Sequence, residues 1–249
     1  MKAIILAAGY AVRLQPLTLN TPKPLLAVGS KKIIDRILDK IAKLKDLSSI
    51  YIITNAKFFE NFCEWQTASK HKNEIVIIND GSTSNENRLG AIKDIEIALR
   101  THSIDEEVIV IAGDNLFDFE INTFLGFAKA SSDGASIALH DIGNLDSAKR
   151  FGVVKIDERK RIIDFEEKPE NPKSALISTG IYYFPKSKLL LIKEYTDLGN
   201  KLDAPGYYIG WLVKRDKAYG FVFNEDWYDI GSIESYKKAN EEYLKKERR

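Results

Sequence analysis

Residues 1–26 read MKAIILAAGYAVRLQPLTLNTPKPLL, and the fold is decided here. Ala3-Ile4-Ile5-Leu6 is an apolar run too short for a helix, with the length and branching of a buried strand. Ala7, Ala8 and Gly9 follow, small enough to let the backbone approach a ligand closely. Pro16, Pro22 and Pro24 then forbid a continuous helix, because each lacks an N–H and restricts the residue before it. The result is a long loop at the C-terminal end of a first strand, carrying Arg13 and Lys23. In open α/β sheets that edge is where ligands bind, and a small-residue turn followed by two cations suits a polyphosphate. The plainer reading is a surface loop with two solvated charges.

Working outward, Ile33, Ile34, Ile37, Leu38 and Ile41 recur at helical spacing and predict a helix from a Ser30 cap through Leu44. Ser49–Thr54, Glu74–Ile78 and Glu107–Ala112 read as strands, separated by helices over Lys57–His71 and around Leu89, Ile92, Ile95 and Leu99. This β-α-β-α-β-α-β pattern implies a mostly parallel sheet covered on both faces. The polar strand ends at Ala8-Gly9, Asn55, Asp80-Gly81 and Asp114 should then open on one edge.

The second half changes character. A helix with Ile121, Phe124, Leu125 and Ala128 leads to strands at Ala135–Leu139, Gly152–Ile156, Arg161–Phe165, Leu176–Phe184 and Ala218–Phe223. Asp157-Glu158-Arg159-Lys160 is a hairpin turn, Leu189, Leu190 and Ile192 mark a short helix, and Asp203 can cap another ahead of Pro205. Ser232 caps a final helix whose Lys245–Arg249 tail is expected to fray. The fold class expected is α/β, a three-layer α/β/α single domain over 1–249 with a mostly parallel mixed sheet.

A hydrophobic content of 44% with a net charge of +1 gives no electrostatic case for nucleic acid or a membrane surface. One cysteine, Cys63, excludes an intrachain disulfide and a thiolate cluster. No apolar run approaches the roughly 20 residues of a membrane span, so a cytoplasmic location is expected.

For chemistry, G-x-x-x-x-G-K-[ST] is absent, as is G-x-G-x-x-G after the first strand. Gly9 is read as the tight turn, with Arg13 and Lys23 supplying positive charge. Asp114 and Asp229, one after an apolar strand and one late in the chain, suit a magnesium site completed by water and phosphate oxygens. Taken singly, each is equally a cap or turn residue. Glu166-Glu167-Lys168 is by default a charged turn, whereas Gly180 inside an apolar strand marks a close approach. His71, His102 and His140 are scattered, and no G-x-S-x-G elbow occurs. Phosphoryl or nucleotidyl transfer remains, since it needs positioning and charge more than a covalent nucleophile.

Leu6-Ala7-Ala8-Gly9-x-x-x-Arg13-Leu14-x-Pro16-Leu17-Thr18 with Pro22-Lys23-Pro24-Leu25 resembles the signature of the sugar-1-phosphate nucleotidyltransferases, the nucleoside-diphosphate-sugar pyrophosphorylases. The likeness continues through Leu89-Gly90-Ala91, Gly113-Asp114-Asn115, Phe151-Gly152-Val153-Val154, Glu166-Glu167-Lys168-Pro169, Ser178-Thr179-Gly180 and Trp227-x-Asp229-x-Gly231. The resemblance implies a Rossmann-like nucleotide-diphospho-sugar transferase fold, in the short form without a β-helix domain. It divides the chain into a nucleotide-binding half (1–115), a sugar-phosphate half (116–231) and a C-terminal helix (232–249). It also implies nucleotidyl transfer from a nucleoside triphosphate to a sugar 1-phosphate, with Mg²⁺ as cofactor. By the same resemblance Leu6, Ala7, Ala8, Gly9, Arg88 and Gly90 hold base and ribose, Arg13 the β- and γ-phosphates, and Lys23 the α-phosphate. Asp114 and Asp229 hold the metal, Asn115, Gly152, Glu167 and Thr179 line the sugar pocket, and Lys168 meets the sugar phosphate.

The chain departs from the family pattern where Val12 precedes Arg13 in place of a hydroxyl residue, and where Arg88 stands at a base-reading position. UTP or dTTP with a hexose 1-phosphate is the expected pair. The alternatives are a cytidylyl- or guanylyltransferase for a heptose or another phosphorylated acceptor, and a non-catalytic nucleotide-sugar-binding protein. A homo-oligomer is left open, with Tyr207, Tyr208 and Trp211 read either as interface or as core.

Overall fold

The computed structural model describes every residue except Ser132 and Arg249. Its strands are β1 (Lys2–Leu6), β2 (Ala27–Val28), β3 (Lys31–Lys32), β4 (Ser49–Thr54), β5 (Ile75–Asn79), β6 (Val108–Ala112) and β7 (Asn115–Phe117), then β8 (Ala135–Asp141), β9 (Gly152–Ile156), β10 (Ile162–Glu167), β11 (Leu176–Phe184), β12 (Ala218–Phe223) and β13 (Trp227–Asp229). The helices are α1 (Ile33–Ile41), α2 (Phe59–Ala68), α3 (Ala91–Thr101), α4 (Ile121–Ala130), α5 (Leu145–Ala148), α6 (Leu189–Asp197), α7 (Pro205–Leu212) and α8 (Ile233–Glu247).

β1 lies between β4 and β6, parallel to both, and β5 extends the sheet beyond β4. β11 runs antiparallel to β6 on one side and to β8 on the other, with β12 parallel to β8. The hairpin β9–β10 joins through Ile177 opposite Val153. One mixed sheet therefore crosses both halves of the chain.

Alternation along the strands builds two cores. Ala3, Ile5, Ile109 and Ile111 face the layer holding α1, α2, α4 and α8, while Ile4, Val108 and Val110 face α3, α6 and α7. The expected three layers are present. Tyr208 is fully buried against Tyr195 and Trp211, which places that aromatic group in the core.

Several local expectations fail. Ser30 does not cap α1, which starts at Ile33 after the short ribbon of β2 and β3. Its hydroxyl instead donates to Glu247 at 3.0 Å. Asp203 does not cap α7, because its carboxylate pairs with Arg88. Of the tail expected to fray, residues 245–247 are helical, and Arg249 lies outside the described residues. Lys246 bonds Asp226 at 2.7 Å and Asp118 at 2.5 Å, Glu247 pairs with Arg36, and Asn240 accepts from Gly29 N–H at 2.8 Å. These ties hold the last helix against residues 29–36 and against the residues beside β7 and β13.

Candidate active site

The prolines of the opening loop allow two short 3₁₀ turns, Val12–Leu14 and Lys23–Leu25. The left-handed residue of the loop is Ala11 (φ 47°), so the tight turn falls there and not at Gly9. Its carbonyl accepts from Leu14 N–H and from the Thr18 hydroxyl, each at 2.9 Å, and these bonds hold a conformation an L-residue otherwise avoids. Gly9 is exposed, and a Cβ placed on it would meet nothing within 4 Å. Behind it, buried Asn55 at the end of β4 donates to the Ala8 carbonyl at 2.9 Å, fixing Ala7–Gly9 at the sheet edge.

Two carboxylates stand together on the other side of this loop. Asp114 follows β6, and the next residue, Asn115, pairs across β7 and β13 with Asp229. That three-residue ribbon joins segments more than a hundred positions apart, and it places both acids at one edge. Lys23 Nζ lies 2.5 Å from Asp114 Oδ2 and donates to the Ile230 carbonyl, also at 2.5 Å. Burial raises the Asp229 pKa above the ordinary carboxylate range. Asp114 adds to the shift, while Lys23, Arg150 and Arg13 pull it back. Arg150 was not singled out from sequence, since a cation in a polar loop carries no mark of what it faces.

A second region lies beside the end of β1. A cavity of about 240 Å³ is lined by Leu6, Ala8, Gly9, Asp80, Gly90 and Asp94, with Arg88, Ala112 and Asp203 also on its wall. Gly90 caps α3 at φ 92°, and a Cβ there would stand 2.5 Å from the Leu202 carbonyl oxygen, so only glycine fits. The carbonyls of Leu202 and Asp203 accept the first N–H groups of α3, from Ile92 at 3.2 Å and Ala91 at 3.4 Å. Arg88 bonds Asp203 at 2.8 Å through Nε, and Asn85 at 2.9 Å through Nη1. It clamps the 80–87 loop to the segment before α7. Asp94, unmarked in the sequence because it sits among the buried isoleucines of α3, is 4% exposed on this wall.

The third region is built by β9, β10, β11 and α7. Glu167 Oε2 stands where a Cβ on Gly206 would come within 1.8 Å, so the carboxylate occupies the space that a side chain on α7 would take. Burial raises the Glu167 pKa, and Lys168, 3.7 Å away, opposes the shift. Lys168 itself is at φ 50°, with its N–H on the Phe151 carbonyl at 3.0 Å and its side chain exposed. Gly152 packs under Phe165 and Glu167. The Thr179 hydroxyl donates to Ala138 O at 2.9 Å. Asn115 is 3% exposed, its amide donating to Thr179 O at 2.6 Å and accepting from Trp227 Nε1 at 2.8 Å. It therefore ties β11 to the ribbon that carries Asp229.

The sequence-predicted residues thus form three adjoining groups on one edge. Asp114 and Asp229 are half-buried oxygen donors with too little fixed positive charge between them to lower the Asp229 pKa. This is a donor set that fits a small divalent cation, which takes few protein ligands. Among the described residues no group of three or more His, Cys, Asp or Glu could hold a metal, and no helix is long and apolar enough to cross a membrane.

Comparison with known proteins gives the following. The family model described as nucleotidyl transferase matches residues 2–246. A bifunctional protein GlmU from Methanocaldococcus jannaschii is 33% identical over 250 residues, covering 99% of this chain and 55% of that protein. A glucose-1-phosphate adenylyltransferase from Geobacter metallireducens is 29% identical over 275 residues, covering 97% of this chain and 65% of that protein. The chain spans a little over half the length of the first of these and just under two thirds of the second. The crystal structure of a UDP-glucose pyrophosphorylase complexed with UDP-glucose superposes with a TM-score of 0.81 over 98% of both chains at 20% identity, a likeness of fold.

Proposed function

The chain belongs to the sugar-1-phosphate nucleotidyltransferase family, and on that premise we propose that its cleft joins a nucleoside triphosphate to a sugar 1-phosphate, releasing pyrophosphate. A phosphate oxygen of the sugar phosphate attacks the α-phosphorus in line, the bond from that phosphorus to the bridging oxygen breaks, and pyrophosphate leaves. The observation that carries this reading is the meeting of Lys23 and Arg13 with Asp114 and Asp229 at the mouth of the β1 loop.

Leu6, Ala7, Ala8, Gly9 and Gly90 receive base and ribose, with Arg88 holding the wall of that cavity through Asp203 and Asn85. Arg13 takes the β- and γ-phosphates and Lys23 the α-phosphate, where its ammonium meets charge as it develops. On the other side Lys168 binds the sugar phosphate, and Gly152, Glu167 and Thr179 form the sugar pocket with Asn115 behind them. Asp114 and Asp229 would hold a magnesium ion, which when bound supplies charge neutralisation across the phosphates of both substrates. Catalysis here is positioning plus electrostatics, in keeping with a site that has no nucleophile.

The test is pyrophosphate release across five nucleoside triphosphates and a set of hexose, heptose and amino-sugar 1-phosphates, with magnesium or EDTA. Release that depends on magnesium is expected; no release in any combination overturns the reading.

A further inference from the structure

The cavity beside β1 holds a polar atom that the proposed reaction does not use. Asp94 lies in the first turn of α3, 4% exposed, and lines the cavity with Ala8, Gly9, Asp80 and Gly90. Its Oδ1 has no hydrogen-bond partner among the described residues. A buried oxygen left without a donor is costly, so one retained at a cavity wall points to a ligand that supplies the donor.

The neighbours fix what that ligand must offer. Asp80 accepts from the backbone N–H and the hydroxyl of Ser82, each at 2.7 Å, and stands beside the Asp94 carboxyl. Asp80 has the Ser82 donors, whereas Asp94 Oδ1 has none among the described residues. Burial, reinforced by Asp80, pushes the Asp94 pKa up to about 8, so its proton stays at neutral pH. Arg88, the guanidinium on the wall, is committed to Asp203 and Asn85. Asp94 Oδ1 is left as an acceptor.

We propose that Asp94, backed by Asp80, selects the nucleobase, favouring bases with an exocyclic amino group (cytosine, adenine or guanine) over uracil and thymine. An amino N–H satisfies Oδ1 without bringing a lone pair against it. Uracil and thymine offer one ring N–H flanked by carbonyl oxygens, and those oxygens would face the oxygens of Asp80 and Asp94. This selection rests on the cleft being a nucleotide site, and it runs against the expectation of UTP or dTTP.

The experiment measures binding of CTP, ATP, GTP, UTP and dTTP by titration calorimetry alongside pyrophosphate release. Each amino nucleotide is paired with its deamino counterpart: GTP with ITP, ATP with purine riboside triphosphate, and CTP with 2-pyrimidinone riboside triphosphate. At least one amino nucleotide is expected to bind about tenfold or more tightly than its counterpart and than UTP or dTTP, the worth of one well-made hydrogen bond. Asp94→Ala should abolish that ratio while leaving the deamino nucleotides unchanged. Asp94→Asn should retain it, since an amide can donate to Asp80 and still present an acceptor. UTP or dTTP binding as tightly as every amino nucleotide overturns the proposal. So does an Asp94→Ala loss equal for all nucleotides. The deamino pairs need no variant, so they decide the matter even where Asp94→Ala does not fold. Base-dependent binding with no turnover would sink the proposed reaction and support this selection; turnover with UTP or dTTP alone would do the reverse.

Discussion

Two pairs of aspartates flank the opening loop, and the chain treats them in opposite ways. Asp114 and Asp229 face Lys23, Arg13 and Arg150, all on flexible stems that can yield to an incoming cation or phosphate. Asp80 and Asp94 face no free cation on the cavity wall, and one proton does the balancing. The difference teaches where charge is meant to change. On the proposed reading the first pair meets a metal ion and polyphosphate, whereas the second, with Asp94 held protonated, carries less charge and would face the base.

The comparison breaks most sharply at Asp229. Asp229→Asn is expected to lower kcat/KM on the order of 10³-fold, about 4 kcal/mol of transition-state stabilisation, through loss of the divalent cation. Steady-state pyrophosphate release over a range of magnesium concentrations checks this, and unchanged turnover would remove the two-carboxylate site. Lys23→Ala comes next, with kcat lower on the order of 10²-fold and KM little changed, because its charge acts on the α-phosphate in the transition state. A rise in KM alone would make Lys23 a ground-state anchor.

The proton on the second pair has its own signature. Asp94 holds its proton to about 8 in the folded chain, against the ordinary aspartate value of 3.8. Between those values the folded chain binds more protons than the unfolded one, so stability falls as pH rises through the window and levels off above it. The slope is roughly 1 kcal/mol per pH unit, and Asp94→Asn, which carries no titrating proton, should flatten it. Urea unfolding of both proteins from about pH 5 to 8 checks the sign, and parallel slopes would show that no proton sits there. The smallest effect concerns the loop between the pairs. Ala11→Gly should stabilise the chain by about 1 kcal/mol by relieving the left-handed residue, with thermal unfolding as the readout.

Much of this arrangement was legible because strands announce their ends. Asp114 follows an apolar run, Lys23 sits between prolines, and Asp229 follows an aromatic pair, so each stood out as a polar residue at a sheet edge. The ribbon of β7 and β13 was not legible, since a pairing of three-residue strands this far apart is set by tertiary packing and not by local pattern. Asp94 was hidden for the opposite reason. Beside Ile92 and Ile95 it reads as an ordinary helix charge, and only the approach of Asp80 and the Leu202–Pro205 segment makes it a buried wall. Ser30 misled because a good cap residue was drawn off by Glu247, more than two hundred positions away. Arg88 kept its place on the cavity, but Asp203 and Asn85 took its donors.

Lys23 reaches across the whole chain to the carbonyl of Ile230. The residues that line the cavity beside β1 all precede β13, whereas the second carboxylate and the carbonyl that steadies the lysine lie in or just after it, so the two regions are joined only when β13 pairs with β7. A chain cut before Trp227 lacks β13 and α8, whose Ala239 and Tyr243 lie in the core beside Ile230, so it loses packing together with the second carboxylate.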